Sequence, residues 1–229
     1  MQELKDLLSG IETEPPSPYL CQCGTEVATW RGYCPECTEK RRKADRAMLL
    51  GHAYATLPAM PWAVWGQFGA KVHVAIIAAL RAWRGGDAGL LISGPSGCGK
   101  TTVCVAKMRI MLDWARDTDA LPKDKFRFAA KMRFVAAADL AIARRQWPLG
   151  DGEAPAVEEA QRASLLVLDE LGYEAQTDTS VPETIDARYR KGLPTIVTTG
   201  LRFAEMQNRY GEANARKIVG LGEVVDAWK

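Results

Sequence analysis

A chain of 229 residues has room for one medium-sized domain and a small appendage. Hydrophobic side chains make up 47% and charged ones 25%, which excludes wholesale disorder and supplies a core. The net charge is only +2, so blanket basicity of the histone type is excluded, and any nucleic-acid contact must come from local patches.

No apolar run reaches the roughly 18 to 20 residues needed to span a bilayer. The nearest, Val72 to Trp83, is short and ends in charge. "MQELKDLLSG" lacks the basic and apolar regions of a secretory signal. The expected location is the cytoplasm, with no membrane partner, where cysteines stay reduced.

Residues 1–20 read as an N-terminal helix and linker. Leu4, Leu7 and Leu8 share a face, and "TEPPSPYL" then breaks the pattern. Residues 21–50 read as a metal-binding module followed by a linker helix. "CQCGTEVATWRGYCPEC" is C-x-C-x10-C-x2-C, and the thiolates of Cys21, Cys23, Cys34 and Cys37 can close a tetrahedral Zn²⁺ site from two turns. About twenty residues cannot bury enough apolar surface to fold unaided, and a metal supplies the missing free energy. Unligated cysteines are the other reading. His52 and His73 fall in helix-like segments and read as packing or surface residues. Trp30, Arg31 and Tyr33 lie between the cysteine pairs, and "KRRK" follows from Lys40 to Lys43. These side chains could stack on single-stranded nucleic acid, or form a protein-docking face on a solvated helix.

Residues 58–229 alternate strand and helix after the punctuated join "LPAMPWAVWGQFG". Strands are expected at Gly89–Ser93, Arg133–Ala136, Ser164–Leu168, Pro194–Thr199 and Glu223–Ala227. Helices are expected at Lys71–Arg84, Thr101–Arg116, Ala138–Gln146, Pro155–Arg162, Val181–Lys191 and Ala204–Val219, the last broken near Gly211. Runs such as "LLVLD" and "TIVTT" are apolar without alternation, as buried parallel strands are. The fold class is therefore α/β, a parallel five-stranded sheet with helices on both faces.

"GPSGCGKT" matches the phosphate-cradling pattern G-x-x-x-x-G-K-[ST] between a strand and a helix. Gly94, Pro95, Ser96, Gly97, Cys98, Gly99, Lys100, Thr101 and Thr102 are the expected ATP-binding residues. The loop's N–H groups and the helix N-terminus face phosphate oxygens, Lys100 reaches the β- and γ-phosphates, and the Thr101 hydroxyl holds Mg²⁺. Cys98 reads as an incidental loop residue. "SLLVLDELG" ends a buried strand in Asp169, a second Mg²⁺ residue, and Glu170, placed to polarise the attacking water. The Asp-Glu pair points to water as the phosphoryl acceptor. In "LPTIVTTGL", Thr198 or Thr199 faces the γ-phosphate if this strand lies between those carrying Lys100 and Asp169; simple strand packing is the other reading.

"GPSGCGKTT", "LLVLDELGYE", "DARYRKGLPTIVTTGL" and "RYGEANARKI", in this order and spacing, resemble the DnaC/IstB-like branch of AAA+ ATPases from about Trp62 onward. The resemblance implies a P-loop (AAA+) domain without a C-terminal lid. It implies a γ-phosphate sensor after the fourth core strand, usually Asn in "TTN". Gly200 stands there, so sensing falls to Thr199 or is weakened. It also implies an arginine finger shortly after "YGE". Arg216 matches best and Arg188 less well, and a plain helix-surface charge is the other reading of Arg216.

The expected function is an ATP-dependent helicase loader or replication remodeller, self-associating and acting on a replicative helicase and single-stranded DNA. The resemblance favours protein docking for the cysteine module. Lys131, Arg133, Arg144 and Arg145 are candidate DNA contacts or plain surface charges. One alternative is an IstB-like transposition helper that binds duplex DNA. Another is a zinc-ribbon DNA-binding adaptor with a weak or inactive ATPase.

Overall fold

The computed structural model describes residues 19–28, 32–118 and 121–228. The expected helix around Leu4 to Leu8, its linker up to residue 18, and Trp30 and Arg31 lie outside the described residues. The chain divides into two compact units, Met1–Met48 and Leu49–Lys229. No described helix is long and apolar enough to cross a membrane.

The first unit contains a short antiparallel hairpin, β1 (Tyr19–Leu20) and β2 (Glu26–Val27), and the start of helix α1 (Pro35–Ala55). The helix begins inside the second cysteine pair, earlier than the sequence pattern suggests. Proline fits the first helical position because the N–H it lacks has no helical partner there. Exposed pairs Lys40–Glu36 and Arg42–Glu39 reinforce the helix surface.

The second unit holds five strands: β3 (Gly89–Ser93), β4 (Arg133–Ala136), β5 (Leu166–Leu171), β6 (Thr195–Thr199) and β7 (Gly222–Asp226). They pair in the order β4-β5-β6-β3-β7, and every pairing is parallel. The helices are α2 (Val74–Ala82), α3 (Lys100–Asp117), α4 (Lys123–Ala130), α5 (Ala137–Gln146), α6 (Pro155–Arg162), α7 (Ser180–Lys191), α8 (Phe203–Tyr210) and α9 (Glu212–Gly220).

Alternate strand residues feed two cores, as a pleated sheet requires. Leu90, Ile92, Phe134 and Val167 pack with Leu50 of α1 and with α2, α3 and α4. Leu91, Leu166, Leu168 and Val197 pack with α5 to α9 on the other face. Both faces are covered, which explains the unbroken apolar runs.

Most expected strands and helices appear within a few residues of their predicted limits. The helix expected from Ala204 to Val219 is two helices, because Gly211 sits between them at φ 79°, a left-handed conformation that ends α8. Helix α2 begins at Val74 rather than Lys71, because His73 caps it, its Nδ1 accepting from Ala75 N at 3.3 Å. Strand β5 continues past Leu168 to Leu171 through a register shift against β6. Helix α4 was not anticipated. Its traces in the sequence are Pro122 before the first turn and Asp124 within it.

Arg188 is not available as an arginine finger. Its side chain is fully buried in α7. It donates to Thr195 Oγ1 (2.8 Å), to the carbonyls of Ala160 and Ala163 (2.8 Å each) and to that of Pro194 (2.6 Å). These four partners are neutral oxygens, and burial lowers the guanidinium pKa to about 10. The side chain thus ties the end of α6 and the start of β6 to α7. Arg188→Met should strand those acceptors and lower unfolding free energy by about 3 kcal/mol or more. Urea unfolding checks this, and an unchanged midpoint would show that the guanidinium is dispensable.

Candidate functional site

Strand β3 ends at Ser93, and the chain turns through Gly94 to Gly99 into α3. Gly97 and Gly99 have φ values of 79° and 89°, which side-chain-bearing residues rarely adopt. A Cβ on Gly99 would also lie 2.8 Å from Val72, and His73 N donates to Cys98 O at 3.0 Å. The segment before α2 therefore packs directly on the loop. Lys100, Thr101 and Thr102 form the first turn of α3, whose N–H groups have no carbonyl one turn earlier within the helix. That helix end attracts anions.

Lys100 Nζ donates to Gly94 O (2.7 Å) and Pro95 O (2.8 Å), with Cys98 Sγ at 3.8 Å. Thr101 Oγ1 donates to both oxygens of Asp169, at 3.1 and 2.9 Å. On the other side Thr198 Oγ1 donates to Asp169 Oδ1 and accepts from Glu170 N at 3.1 Å. Burial raises the Asp169 pKa, opposed by the bonds from Thr198 and Thr101 and by the charge of Lys100. A carboxylate beside a threonine hydroxyl is a hard oxygen donor set, of the kind that holds Mg²⁺.

Glu170 follows at φ 56°, within the register shift between β5 and β6. Its side chain is exposed. A cavity of about 120 Å³ lies between the glycine loop, Lys100 and Thr101 on one side and Glu170, Tyr173 and Gly200 on the other. A larger cavity of about 540 Å³, bounded by Met111, Trp114 and Phe128, is mainly apolar and lacks such a convergence of polar groups.

The expected nucleotide residues thus converge, with one correction. Thr199 Oγ1 is buried, donates to Leu171 O at 2.8 Å and accepts from Leu201 N at 3.0 Å. Successive strand side chains face opposite ways, so Thr198 faces Asp169 and Thr199 turns away. Gly200 lines the cavity and contributes no side chain. Arg216 projects from α9 with its side chain 71% exposed, paired with Glu212 one turn earlier. Candidate DNA contacts fall at two places. Arg133 opens β4 and pairs with Glu159, and Lys131 lies just before it. Arg144, near the end of α5 beside Arg145, pairs with Glu153 and Glu183.

The sequence left one network unseen. Glu174 is buried and accepts from Gly172 N (3.0 Å) and from Tyr210 OH, with Arg209 Nε at 3.5 Å. It fastens the turn after Glu170 to α8. Residues 35 positions apart leave no local pattern to signal such a contact.

In the first unit Cys21 N donates to Thr25 O and Gly24 N to Cys21 O, each at 2.8 Å, which closes a tight turn at the first cysteine pair. Cys37 N donates to Cys34 Sγ at 3.4 Å across the second. The four sulfurs lie within 4.8 Å of one another. Thr25 hydrogen bonds draw the Cys23 pKa down to about 6, while bonds with Cys21, Cys23 and Cys34 push Cys37 up to about 12. Four sulfurs at this spacing cannot all ionise without a cation among them, so the set fits one soft divalent ion. Tyr33 is engaged by Arg41, whose guanidinium lies 5.0 Å from the ring and whose Nη1 donates to the hydroxyl at 2.7 Å.

Left-handed backbone costs a non-glycine residue about 1 kcal/mol or more. Glu170→Gly should therefore be more stable than Glu170→Ala by about 1 kcal/mol, the reverse of the usual order of these residues inside a strand. Urea midpoints of the two variants decide it, and a more stable alanine variant would show that the turn carries no strain.

Neither a protein-family model nor a curated protein matches the sequence. Solved structures do match. The DnaC helicase loader aligns with 67% of this chain and 86% of its own, at TM-score 0.50 and 22% identity. DnaI aligns with 78% and 92%, at TM-score 0.50 and 16% identity. AMPPCP-bound DnaA from Aquifex aeolicus aligns with 73% of this chain and 50% of its own, at TM-score 0.53 and 18% identity. Identities this low establish a shared fold alone: the second unit has the α/β fold of these structures, a parallel five-stranded sheet with helices on both faces, and a four-cysteine unit precedes it in the chain.

Proposed function

We propose that the chain is an ATPase of the helicase-loader type, working as an oligomer on a replicative helicase and single-stranded DNA in the cytoplasm. The observation that carries the reading is the junction of Thr101, Asp169 and Thr198 beside the Lys100 loop, with Glu170 on the same cavity. Likeness to the DnaC helicase loader supports the helicase partner. The AMPPCP-bound DnaA fold supports the nucleotide.

In this reading Lys100 exchanges the Gly94 and Pro95 carbonyls for β- and γ-phosphate oxygens. Thr101 and Asp169 would hold Mg²⁺, which when bound neutralises phosphate charge. Glu170 orients a water and accepts its proton. The water oxygen bonds to the γ-phosphorus as the bond to the β–γ bridging oxygen breaks, and that electron pair leaves with ADP. Ser96 to Gly99, Thr101 and Thr102 present N–H groups to the phosphates, and Gly94 and Pro95 shape the entry to the loop. Arg216 is exposed, and a neighbouring subunit's copy would supply the cation for charge developing on the γ-phosphoryl group. A second reading, an adaptor with a slow ATPase switch, draws on Gly200, which leaves one cavity wall without a side chain.

The cysteine unit carries Zn²⁺ and serves protein docking. One zinc per chain is expected on metal analysis. Cys34→Ser with Cys37→Ser should lose it while nucleotide affinity persists; a zinc-free wild-type chain would refute the metal.

The functional test is ATP turnover against protein concentration, with and without single-stranded DNA and a candidate hexameric helicase. An arginine finger in trans is worth about 10³- to 10⁵-fold in rate in other P-loop enzymes. Arg216→Ala should bind ATP but lose stimulated turnover, and mixing with Glu170→Gln subunits should restore part of it. Concentration-independent turnover untouched by Arg216→Ala would defeat the shared-site mechanism.

A further inference from the structure

Among the described residues two hydroxyls lining the cavity beside the glycine loop have no hydrogen-bond partner, that of Ser96 on the loop itself and that of Tyr173 on the wall opposite. Three other hydroxyls in or next to it are committed. Thr101 and Thr198 donate to Asp169, and Thr199 donates to Leu171 O. Gly200 offers no side chain, and a Cβ built there meets nothing within 4 Å. Tyr173 lines the same wall, and among the described residues its hydroxyl has no hydrogen-bond partner. Its side chain is also outside the core, with the residue 66% exposed.

The backbone of Tyr173 is nonetheless held firmly. Its N–H donates to Glu170 O at 3.1 Å. Gly172 before it has φ 109°, and a Cβ there would lie 2.8 Å from Leu201. Glu174 after it is buried and anchored by Gly172 N, Tyr210 and Arg209. A phenol fixed at its backbone, free at its hydroxyl and placed beside Glu170 is the arrangement of a ligand-contacting side chain. Core packing does not account for it.

We propose that the Tyr173 hydroxyl donates a hydrogen bond to the γ-phosphate of ATP, making it a catalytic residue alongside Lys100, Asp169 and Glu170. This rests on the ATPase reading above. Charge on the γ-phosphoryl oxygens develops as the water oxygen bonds to phosphorus and the bridging oxygen departs. Lys100 meets that charge from the loop side. Tyr173 meets it from the opposite wall, as a neutral donor that leaves Glu170 free to take the proton of water. ADP lacks the contacted group, so the bond discriminates between nucleotides.

The experiment is calorimetric titration of the full chain with AMP-PNP and with ADP, both with Mg²⁺, together with kcat for ATP. Tyr173→Phe keeps the ring and removes the donor. It should weaken AMP-PNP about tenfold, as loss of a hydrogen bond to a charged group does, leave ADP affinity unchanged and lower kcat. Adding Gly200→Asn, whose side chain enters the open space on the same wall, should restore part of the AMP-PNP preference. The proposal is overturned if Tyr173→Phe keeps the wild-type preference and kcat, or if it weakens both nucleotides equally, as a structural role would. A wild-type chain that binds neither nucleotide, or a Lys100→Ala variant that binds both as wild type does, overturns the ATPase reading itself.

Discussion

A carboxylate almost removed from water organises this protein. Asp169 is 4% exposed, and a charge so placed must be met by donors from the fold itself. Thr101 comes from the first turn of α3 and Thr198 from β6. Both can reach Asp169 only if β6 lies between β3 and β5, which is the observed strand order. The glycine loop, the β5 terminus and the middle strand thus meet around one side chain. Tight burial of the remaining strand residues keeps that meeting point in register.

The chain leaves Asp169 under constraint. Glu170 adopts left-handed backbone, Gly172 does likewise, and Glu174 is drawn back into the protein by Tyr210 and Arg209. The result is a sharp turn that sets Glu170 and Tyr173 on the cavity while its far end is fixed to α8. Helix α8 passes through Gly211 into α9, which carries Arg216. The turn beside the glycine-loop cavity and the arginine proposed to act on a neighbouring subunit are therefore joined by one short run of packed structure.

Arginines show how far residue type alone can mislead. Arg188 and Arg216 both follow motif-like sequence, yet one is sealed among neutral oxygens and the other stands in solvent. Arg133 and Arg144 each meet a carboxylate from another part of the chain, Glu159 for one and Glu153 and Glu183 for the other. The net charge of a segment did not forecast these pairings, because the acidic partners lie 9 to 39 positions away.

Local chemistry made much of the protein legible. The glycine loop followed by Lys-Thr, the apolar strand ending in Asp-Glu, the unalternating strands and the paired cysteines each carry their meaning within a few residues. The sequence by itself therefore determined the α/β class, the glycine loop between strand and helix, and the sulfur cluster. Tertiary structure decided which way side chains point and whom they meet. Strand pleating, with one residue's difference in register, turned Thr198 toward Asp169 and Thr199 away. Burial consumed Arg188 in the core. Contacts across 35 or more positions set the Glu174 anchor, and the turn it holds left Tyr173 on the cavity. Such outcomes depend on distances between elements far apart in the chain, and no spacing within a motif encodes them.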